Sequence, residues 1–323
     1  MNNFQLNNII NENIQPISLL YSKNNIFLSL KNHVIKIYEI KIINNNNNNK
    51  LTKFNLVTTI QENSENIFLY ELPNKNIIYY SIDGFLKIRN KNNFISITTF
   101  SIHIERLKIY KNGNLLTLFN NQIKIWKIDG LRFIHLKKFI FKNYLIYNIF
   151  TLNNEYEFIF SSFDYNSNEK GITIFKNKKE KNFIFIEKLN NNNQIINQNN
   201  FCTNLIFINN KNNFIVNDYN KIYLINNNNN NEKNKYKIEK IFHFEENINI
   251  ILKLNDNNFI ISFDSINNIV KKISKWKINN KENIIKLDEK LAHFSIINNL
   301  TLINNNFFIS MSKDKTIKIW RYN

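Results

Sequence analysis

Apolar residues in this chain occur in short runs that asparagine-rich polar stretches separate. Most of the runs are rich in Ile, Phe and Tyr, which favours β-strands, and helical periodicity is weak throughout. In seven places a run has a similar ending, most clearly in Phe308–Trp320. The seven endings fall at Tyr38, Arg89, Trp126, Phe175, Ile225, Trp276 and Trp320. The steps between them are 51, 37, 49, 50, 51 and 44 residues, which indicates a repeated structural unit.

Each repeat contains enough runs for a four-stranded unit. In the third repeat the predicted strands are Arg106–Tyr110, Leu115–Phe119, Gln122–Ile128 and Leu131–Phe141. A period of about 40–50 residues with four strands per period is typical of β-propeller blades. We therefore predict an all-β fold, a seven-bladed β-propeller of four-stranded antiparallel blades, in a single domain that spans residues 1–323.

The last repeat is one strand short. Its runs are Leu300–Ile303, Phe307–Met311 and Thr316–Tyr322. The N-terminal part of the chain has a spare run, Phe4–Ile10, ahead of the first blade's own Ile17–Leu20. We predict that residues 4–10 pair into the last blade and close the ring, because a propeller closed in this way leaves no long sheet edge open.

Asparagine replaces glycine at the predicted turns, since the chain has only 4 glycines. Asn tolerates the left-handed conformation, and its side chain can close a local turn. A shared turn position stands six residues before five of the strand endings: Asn32, Asp83, Asn120, Tyr219 and Asp314. The tracts 44–49 and 226–231 are predicted to be disordered loops on one face of the ring, and 190–200 on the other.

The chain is strongly basic, with 43 Lys and Arg against 25 Asp and Glu and a net charge of +18. Such a charge is typical of proteins that bind nucleic acid. Codon bias is the alternative, because the abundant residues (Asn, Ile, Lys, Phe and Tyr) have AT-rich codons. Arginine is preferred for phosphate and base recognition. The chain has few arginines, and they are scattered: Arg89, Arg106, Arg132 and Arg321. We therefore favour codon bias over a selected nucleic-acid surface.

Signals for catalysis, metal binding and membrane insertion are lacking in the sequence. Cys202 is the sole cysteine, which excludes an intramolecular disulfide and cysteine-based zinc sites. We find no phosphate-binding loop, nucleophile elbow or zinc-protease motif. No secretory signal and no apolar run of about 18 residues is present. We therefore expect an intracellular protein, cytoplasmic or nuclear, with no catalytic residue, cofactor, metal or membrane insertion.

Four residues of the last repeat have a recognisable spacing. Ser310, Asp314 and Trp320 lie 17, 21 and 27 residues after His293, which follows Ala292. This repeat resembles the WD-repeat family of β-propellers. The resemblance implies a structural hydrogen-bond tetrad in which Asp accepts from His, His accepts from Ser, and Ser accepts from Trp.

The resemblance weakens in the other repeats. The sixth repeat keeps His243, Ser262 and Trp276, and the third keeps His103 and Trp126. The remaining repeats keep only the strand pattern, and no repeat has the Trp-Asp dipeptide of the family. The period therefore covers the whole chain, whereas the motif is specific only in the last eighty residues or so.

A lysine recurs two residues before the strand ending in four repeats: Lys36, Lys87, Lys124 and Lys318. A lysine stem can lie along apolar surface while its ammonium group stays in water. We interpret these lysines as part of the repeat architecture rather than as one basic docking patch.

Two predicted turns between second and third strands are enlarged, Asp164–Lys170 and Asp264–Lys272. In a propeller such turns lie on the same face as the connections between blades. Interfaces are enriched in tyrosine. Tyr165 is therefore a candidate anchor for a partner. The basic residues of the same turns, Lys170, Lys271 and Lys272, are further candidates for partner binding. The alternative is that both turns are tolerated insertions.

The resemblance to WD-repeat proteins implies a non-enzymatic scaffold or adaptor that mediates protein–protein interactions. We expect a monomeric propeller that binds other protein subunits within a larger hetero-complex. One alternative is a basic propeller associated with RNA or a ribonucleoprotein. A third is a phosphoinositide-binding propeller, but propellers of that kind carry adjacent arginines, which this chain lacks.

Overall fold

The computed structural model describes most of the chain and contains β-strands joined by turns and loops. The described residues are 4–44, 50–90, 92–130, 132–152, 157–166, 169–176, 180–188, 201–208, 213–228, 235–255, 257–264, 270–279 and 283–322. They form 28 strands in seven four-stranded antiparallel sheets, which we call blades 1 to 7 in chain order. The predicted seven four-stranded antiparallel blades are therefore confirmed.

The first three blades consist of consecutive strands. Blade 1 contains β2 (Pro16–Ser22), β3 (Asn25–Leu30), β4 (Val34–Asn44) and β5 (Lys50–Gln61). Blade 2 contains β6 (Asn66–Glu71), β7 (Ile77–Ser81), β8 (Phe85–Arg89) and β9 (Ser96–Ser101). Blade 3 contains β10 (Arg106–Ile109), β11 (Leu115–Phe119), β12 (Gln122–Asp129) and β13 (Arg132–Ile140).

The next three blades repeat this order, and the last one differs. Blade 4 contains β14 (Tyr144–Thr151), β15 (Phe158–Asp164), β16 (Glu169–Lys176) and β17 (Glu180–Lys188). Blade 5 contains β18 (Phe201–Ile208), β19 (Asn213–Asp218), β20 (Lys221–Asn228) and β21 (Lys235–His243). Blade 6 contains β22 (Asn247–Lys253), β23 (Asn258–Asp264), β24 (Lys271–Asn279) and β25 (Asn283–His293). Blade 7 contains β26 (Ile297–Asn304), β27 (Phe307–Ser312), β28 (Thr316–Arg321) and β1 (Gln5–Asn11).

The N-terminal strand completes blade 7, as the sequence predicts. β1 pairs antiparallel with β28, with Ile10 opposite Ile317. Just beyond the strand, the Glu12 backbone N–H donates to the Lys315 carbonyl over 2.9 Å. Ile10 and Ile317 share a buried apolar cluster with Leu19 of β2. The closing strand is thus held by backbone pairing and by side-chain burial together.

Burial differs systematically among the strands of a blade. Every residue of β7 and of β27 is buried, whereas β13, the last strand of its blade, is mostly half-buried or exposed. A strand covered on both faces reads as a continuous apolar run, and an outer strand reads as a mixture of apolar and polar residues. Fully burying one large apolar side chain is worth about 1.5–3 kcal/mol. The second strands therefore supply much of the core.

The chain divides into two compact units. The first comprises Met1–Glu71, Ile77–Asp83 and Phe244–Asn323, and the second comprises Leu72–Asn76 and Gly84–His243. Each unit has its own buried apolar clusters. Phe307 and Trp320 belong to the clusters of the first unit, and Phe158 and Phe214 to those of the second.

The predicted turn residues are only partly left-handed. Asn120 and Tyr219 have positive φ angles of 47° and 49°. In the other three turns the predicted residue also lies in the turn, but the residue after it takes the positive φ: His33, Gly84 and Lys315 follow Asn32, Asp83 and Asp314. At Asp314 the physical reason is clear. Its Oδ1 accepts from the Thr316 backbone N–H over 2.9 Å, so the side chain closes the turn and the strained conformation passes to its neighbour.

The predicted loop tracts lie largely outside the described residues. This applies to residues 45–49, 190–200 and 229–231, and to 265–269 of the enlarged blade 6 turn. The beginnings of two tracts were wrongly predicted as loop. Asn44 ends β4 and pairs with Lys50 of β5. Asn226–Asn228 continue β20 and pair with Lys235–Lys237 of β21, because backbone pairing does not depend on the side chain.

Candidate functional site

Three side chains of blade 7 and one at the end of blade 6 form a continuous hydrogen-bond network. His293, at the end of β25, has its Nδ1 atom 3.1 Å from Asp314 Oδ2 in the β27–β28 turn. Its Nε2 atom lies 2.6 Å from the Ser310 hydroxyl in β27. The Trp320 indole N–H donates to the same hydroxyl over 2.8 Å. These contacts assign a neutral His293 that donates through Nδ1 and accepts from Ser310 at Nε2.

Thr316 extends the network, although the tetrad spacing does not predict it. Its hydroxyl donates to Asp314 Oδ1 over 2.6 Å and lies 2.9 Å from His293 Nδ1. Asp314 Oδ2 also accepts from the Phe294 backbone N–H over 2.9 Å. Asp314 therefore receives hydrogen bonds from side chains and backbone on both sides of the network.

Burial and hydrogen bonding set the charge states in this network. Burial lowers the pKa of His293, and hydrogen bonding to Asp314 only partly opposes that shift. Burial would raise the pKa of the Asp314 carboxyl, but hydrogen bonds from His293 and Thr316 outweigh it and hold the pKa well below its usual range. The arrangement is a neutral His293 imidazole beside an ionised Asp314 carboxylate that accepts several hydrogen bonds.

The network is closed to solvent. The His293 and Ser310 side chains are 0% exposed. Their polar atoms already bond to one another, which is how buried polar groups avoid a desolvation penalty. The geometry therefore suits linking of the end of blade 6 to the turn and strands of blade 7, and the imidazole itself is not accessible to a substrate.

The repeats with partial motifs lack this network among the described residues. In blade 3 the Trp126 indole N–H donates to Thr117 over 3.0 Å, while His103 is exposed and stacks on Phe119. In blade 6 the buried Trp276 indole nitrogen has no hydrogen-bond partner within the described ranges. Ser262 instead accepts from the Ile250 backbone N–H over 3.1 Å.

Blades 1 and 2 use buried glutamates at the position of His293. Glu12, Glu62 and His293 each lie four residues before the next strand, since those strands start at Pro16, Asn66 and Ile297. Glu12 is 6% exposed and Glu62 is 7% exposed. Each carboxylate therefore occupies the position that the His293 imidazole has before blade 7.

Each glutamate accepts hydrogen bonds from the blade that begins just after it in the chain. The Glu12 carboxylate accepts from Lys36 Nζ over 2.6 Å and from the Tyr38 hydroxyl. Glu62 accepts from the Tyr79 hydroxyl over 2.6 Å. The sequence held one signal for this exchange. Tyr79 lies 17 residues after Glu62, the same spacing that separates Ser310 from His293.

The partner-binding candidate Tyr165 lies in the turn that follows β15. It is 53% exposed, and its ring packs edge-on against Phe163 at 5.4 Å between centroids. Its backbone N–H donates to the Asn143 carbonyl over 2.9 Å. Burial raises the pKa of Tyr147 to about 12, with smaller contributions from Tyr165 and Tyr219. Tyr165 is thus an exposed aromatic, held by Phe163 and Asn143, that interacts electrostatically with Tyr147.

The three candidate lysines are less uniform than the sequence suggested. Lys271 forms a 2.9 Å ion pair with Asp264, and Lys272 lies 3.3 Å from Glu246 and 3.9 Å from Glu289. Hydrogen bonding to Glu246 raises the pKa of Lys272. The Lys170 backbone pairs with Phe163 in blade 4. Tyr165 and Lys170 belong to one compact unit and Lys271 and Lys272 to the other.

The described residues contain neither a cluster of metal-ligating side chains nor a membrane-spanning helix. Within the described ranges, no three His, Cys, Asp or Glu side chains come together as metal ligands would. In the same part of the chain, no helix has the length and apolar character needed to cross a membrane.

Comparison with solved structures identifies the architecture. The β-propeller domain of Myceliophteria thermophila Cps50 (Swd1) superposes with a TM-score of 0.70 at 9% sequence identity, and the match covers 100% of both chains. This chain is a seven-bladed β-propeller. No family model matches the propeller, and no curated protein matches it either. At this level of identity the similarity shows the fold alone.

Proposed function

We propose that this propeller is a non-enzymatic scaffold or adaptor of the WD-repeat type that binds other protein subunits inside the cell. One observation supports this most directly. The most elaborate cluster of polar and titratable side chains, around His293, is buried and bonded to itself, whereas the enlarged blade 4 turn carries the exposed Tyr165. Exposed aromatic anchors are characteristic of protein interfaces.

The blade 4 turn suits a binding anchor for a second reason. The contacts of Tyr165 with Phe163 and with the Asn143 carbonyl restrict its ring and backbone before binding. An anchor that is already ordered loses less conformational entropy when a partner docks. Tyr165 is therefore the residue we expect to contribute most.

The blade 6 turn contributes mixed charge. Lys271 and Lys272 are surrounded by Asp264, Glu246 and Glu289, so this site presents paired rather than excess charge. Charged groups at the rim of an interface determine orientation and association rate more than affinity. We propose that Tyr165 anchors a partner at the blade 4 turn and that Lys271 and Lys272 affect orientation where a partner contacts the blade 6 turn.

The test replaces the 165–168 and 265–270 segments with short Asn-Gly connections. We expect an unchanged melting temperature and the loss of the protein that co-purifies with the tagged propeller, identified by mass spectrometry. The matched control shortens the tracts only outside the strands, at 45–49 and 229–231, and should keep that protein. Retention of the partner by the short-turn variant would contradict the proposal.

A single-residue version isolates the anchor. Tyr165→Ala should weaken partner binding by about tenfold or more, as truncation of an interface hot spot does. Phe294→Ala is the matched control, because Phe294 is also an exposed aromatic, at 71%, but lies outside both enlarged turns. Equal losses in both variants would show that general surface apolarity, rather than Tyr165, drives association.

The net charge of +18 favours one second candidate, association with RNA or a ribonucleoprotein. Nuclease treatment separates the two functions, because it releases partners that RNA holds and leaves direct protein partners bound. Loss of every partner after nuclease would replace the scaffold proposal with this one.

A further inference from the structure

The outer strand of blade 3 has an open edge. β13 (Arg132–Ile140) is the last strand in the order β10-β11-β12-β13, and no other described strand pairs with its far side. Such an edge presents backbone N–H and C=O groups to which an extended peptide can add as a further strand. Outer strands commonly have this property, so the edge alone does not identify a site.

The charge on β13 distinguishes it from a comparable strand. It contains Arg132, Lys137 and Lys138 and no acidic residue. The outer strand of blade 6, β25, balances Lys286 and Lys290 with Asp288 and Glu289, and Lys286 lies 3.3 Å from Glu289. An edge with cations alone favours pairing with an acidic strand.

Two lysines of blade 3 face each other across the sheet. Lys124 of β12 lies directly opposite Lys138 of β13. Like charges directly opposite on an antiparallel pair are destabilising. Neither lysine forms an ion pair within the described part of the chain. An anionic side chain supplied from outside would relieve this repulsion.

Lys124 also differs from the recurring lysines of other blades. Lys36 is held by Glu12 at 2.6 Å, and Lys318 donates to the Ala292 carbonyl over 2.5 Å. The Lys124 ammonium instead lies over the Trp126 ring, 5.8 Å from its centroid. Lys36 and Lys318 thus bond to oxygen acceptors, whereas the contact of the Lys124 ammonium is with an aromatic ring.

Aromatic rings lie beside these cations on the same face of the sheet. Trp126 is opposite His135, with ring centroids 5.1 Å apart, and Phe100 of β9 contacts Trp126 at 5.7 Å. Phe100 and Phe133 stack on each other at 4.8 Å with an interplanar angle of 19°. Because these two rings cover each other's faces, they suit packing against apolar side chains better than stacking with bases.

We infer that the β13 edge binds an extended acidic segment of a partner protein, which adds as a fifth strand to blade 3. Its backbone pairs with β13, its carboxylates lie near Lys124 and Lys138, and its apolar side chains contact Phe133 and His135 further along the same face of the sheet. This inference rests on the proposed function in that the partner is a protein. The site does not include either enlarged turn, so the two surfaces can be tested separately.

The probe is a fluorescein-labelled peptide of 9 residues, the length of β13, in which every second residue is Glu in one half and Phe in the other, with Val between them. Glu and Phe then share one face of the added strand, as the lysines and the aromatic rings share one face of blade 3. We expect the full-length propeller to bind it with an affinity that falls as salt rises. A peptide with Lys in place of Glu should not bind. A central proline should abolish binding, because it removes a ladder hydrogen bond. Hydrogen exchange should show slower exchange of the β13 amides when the acidic peptide is bound.

Variants of the propeller test the cations. Lys124→Ala/Lys138→Ala should weaken peptide binding by about tenfold or more, and Lys138→Glu should do the same by charge reversal. Lys286→Ala/Lys290→Ala removes two cations from β25 and should leave binding unchanged. Melting temperatures close to that of the unaltered protein show that the variants are folded.

Three results would overturn the inference. They are equal binding by the Lys124→Ala/Lys138→Ala variant, equal binding of the proline peptide, and displacement of the peptide by single-stranded oligo(U) RNA at matched charge concentration. The short-turn variant should still bind the acidic peptide. If that variant loses its co-purifying protein and keeps the peptide, both sites stand. If the peptide fails while the turn variants lose their partner, only the β13 site is refuted.

Discussion

At the scale of single residues, the propeller satisfies one buried position in two chemically different ways. His293, at the end of blade 6, bonds to Ser310 and Asp314 of blade 7, while Glu12 and Glu62 accept from tyrosine hydroxyls in blades 1 and 2. An imidazole both donates and accepts, whereas a carboxylate only accepts. The exchange of His for Glu therefore accompanies an exchange of partners.

Asp314→Ala should destabilise the fold. It removes the acceptor of His293, of Thr316 and of the Phe294 backbone N–H, which leaves a buried imidazole donor without its carboxylate. We expect a loss of about 1–3 kcal/mol in the free energy of unfolding. Urea denaturation followed by tryptophan fluorescence measures it.

The matched variant is Asp83→Ala, at the corresponding turn position of blade 2. There the position of His293 is held by Glu62, which bonds to Tyr79 rather than to an imidazole. We expect a smaller loss than at Asp314. Losses of the same size at both sites would mean that Asp314 acts only as a turn residue.

Stability should fall in acid in two steps. The pKa of His293 is lowered in the folded state, so below about pH 6.5 the unfolded chain takes up a proton that the folded chain resists. The pKa of Asp314 is lowered too, which adds a second loss below about pH 4. Denaturation series across this pH range should show both steps. His293→Asn should flatten the upper one, and an unaltered profile would refute the assignment.

The Glu62–Tyr79 contact should show a measurable coupling energy. Tyr79→Phe removes a hydroxyl that lies 2.6 Å from a buried carboxylate, and hydrogen bonds to charged groups are worth about 1.5–3 kcal/mol. A double-mutant cycle with Glu62→Gln isolates the pairwise energy. A coupling near zero would mean that the two side chains act independently.

At the scale of strands, the polar turn residues between apolar runs allowed the strand ends to be predicted accurately. β11 was predicted and found at Leu115–Phe119, and β13 was predicted at 131–141 and found at Arg132–Ile140. Strand ends follow from turn residues that are neighbours in sequence. The contact of Glu62 with Tyr79 joins different strands, and its spacing becomes informative only after the repeats are aligned. This is why the fold could be predicted while most of the polar partners could not.

Deletion of residues 1–12 tests the closing strand. The change removes β1 from β28 and also removes Glu12, the acceptor of Lys36 and Tyr38. We expect a lower melting temperature and aggregation, because the exposed β28 edge can pair with other molecules. Light scattering during heating measures both effects. Unchanged melting and solubility would contradict the role of β1 in closure.

At the scale of the whole molecule, net charge conceals the local arrangement. The chain carries +18, yet Lys36, Lys271 and Lys272 each have a carboxylate partner. Lys124 and Lys138 have none in the described part of the molecule. Sequence alone cannot separate these groups, because pairing depends on strand register and on residues far apart in the chain.

Binding of single-stranded RNA by the whole molecule should be weak and sensitive to salt. If the charge reflects composition rather than a built site, association measured by filter binding should largely vanish between about 50 and 200 mM salt. The co-purifying protein should remain bound over the same range. RNA binding that persists at the higher salt would favour the nucleic-acid alternative.

The pairing of β1 with β28 has a consequence during protein synthesis. β1 is made long before its partner, because β28 follows roughly 300 residues later, which takes on the order of 15–60 s at ~5–20 residues per second. Throughout this interval an apolar strand with Leu6, Ile9 and Ile10 lacks the strand with which it pairs in the folded propeller. The nascent chain is therefore exposed to mispairing at this strand, and chaperones that act on ribosome-bound chains should favour residues 4–12 as a target.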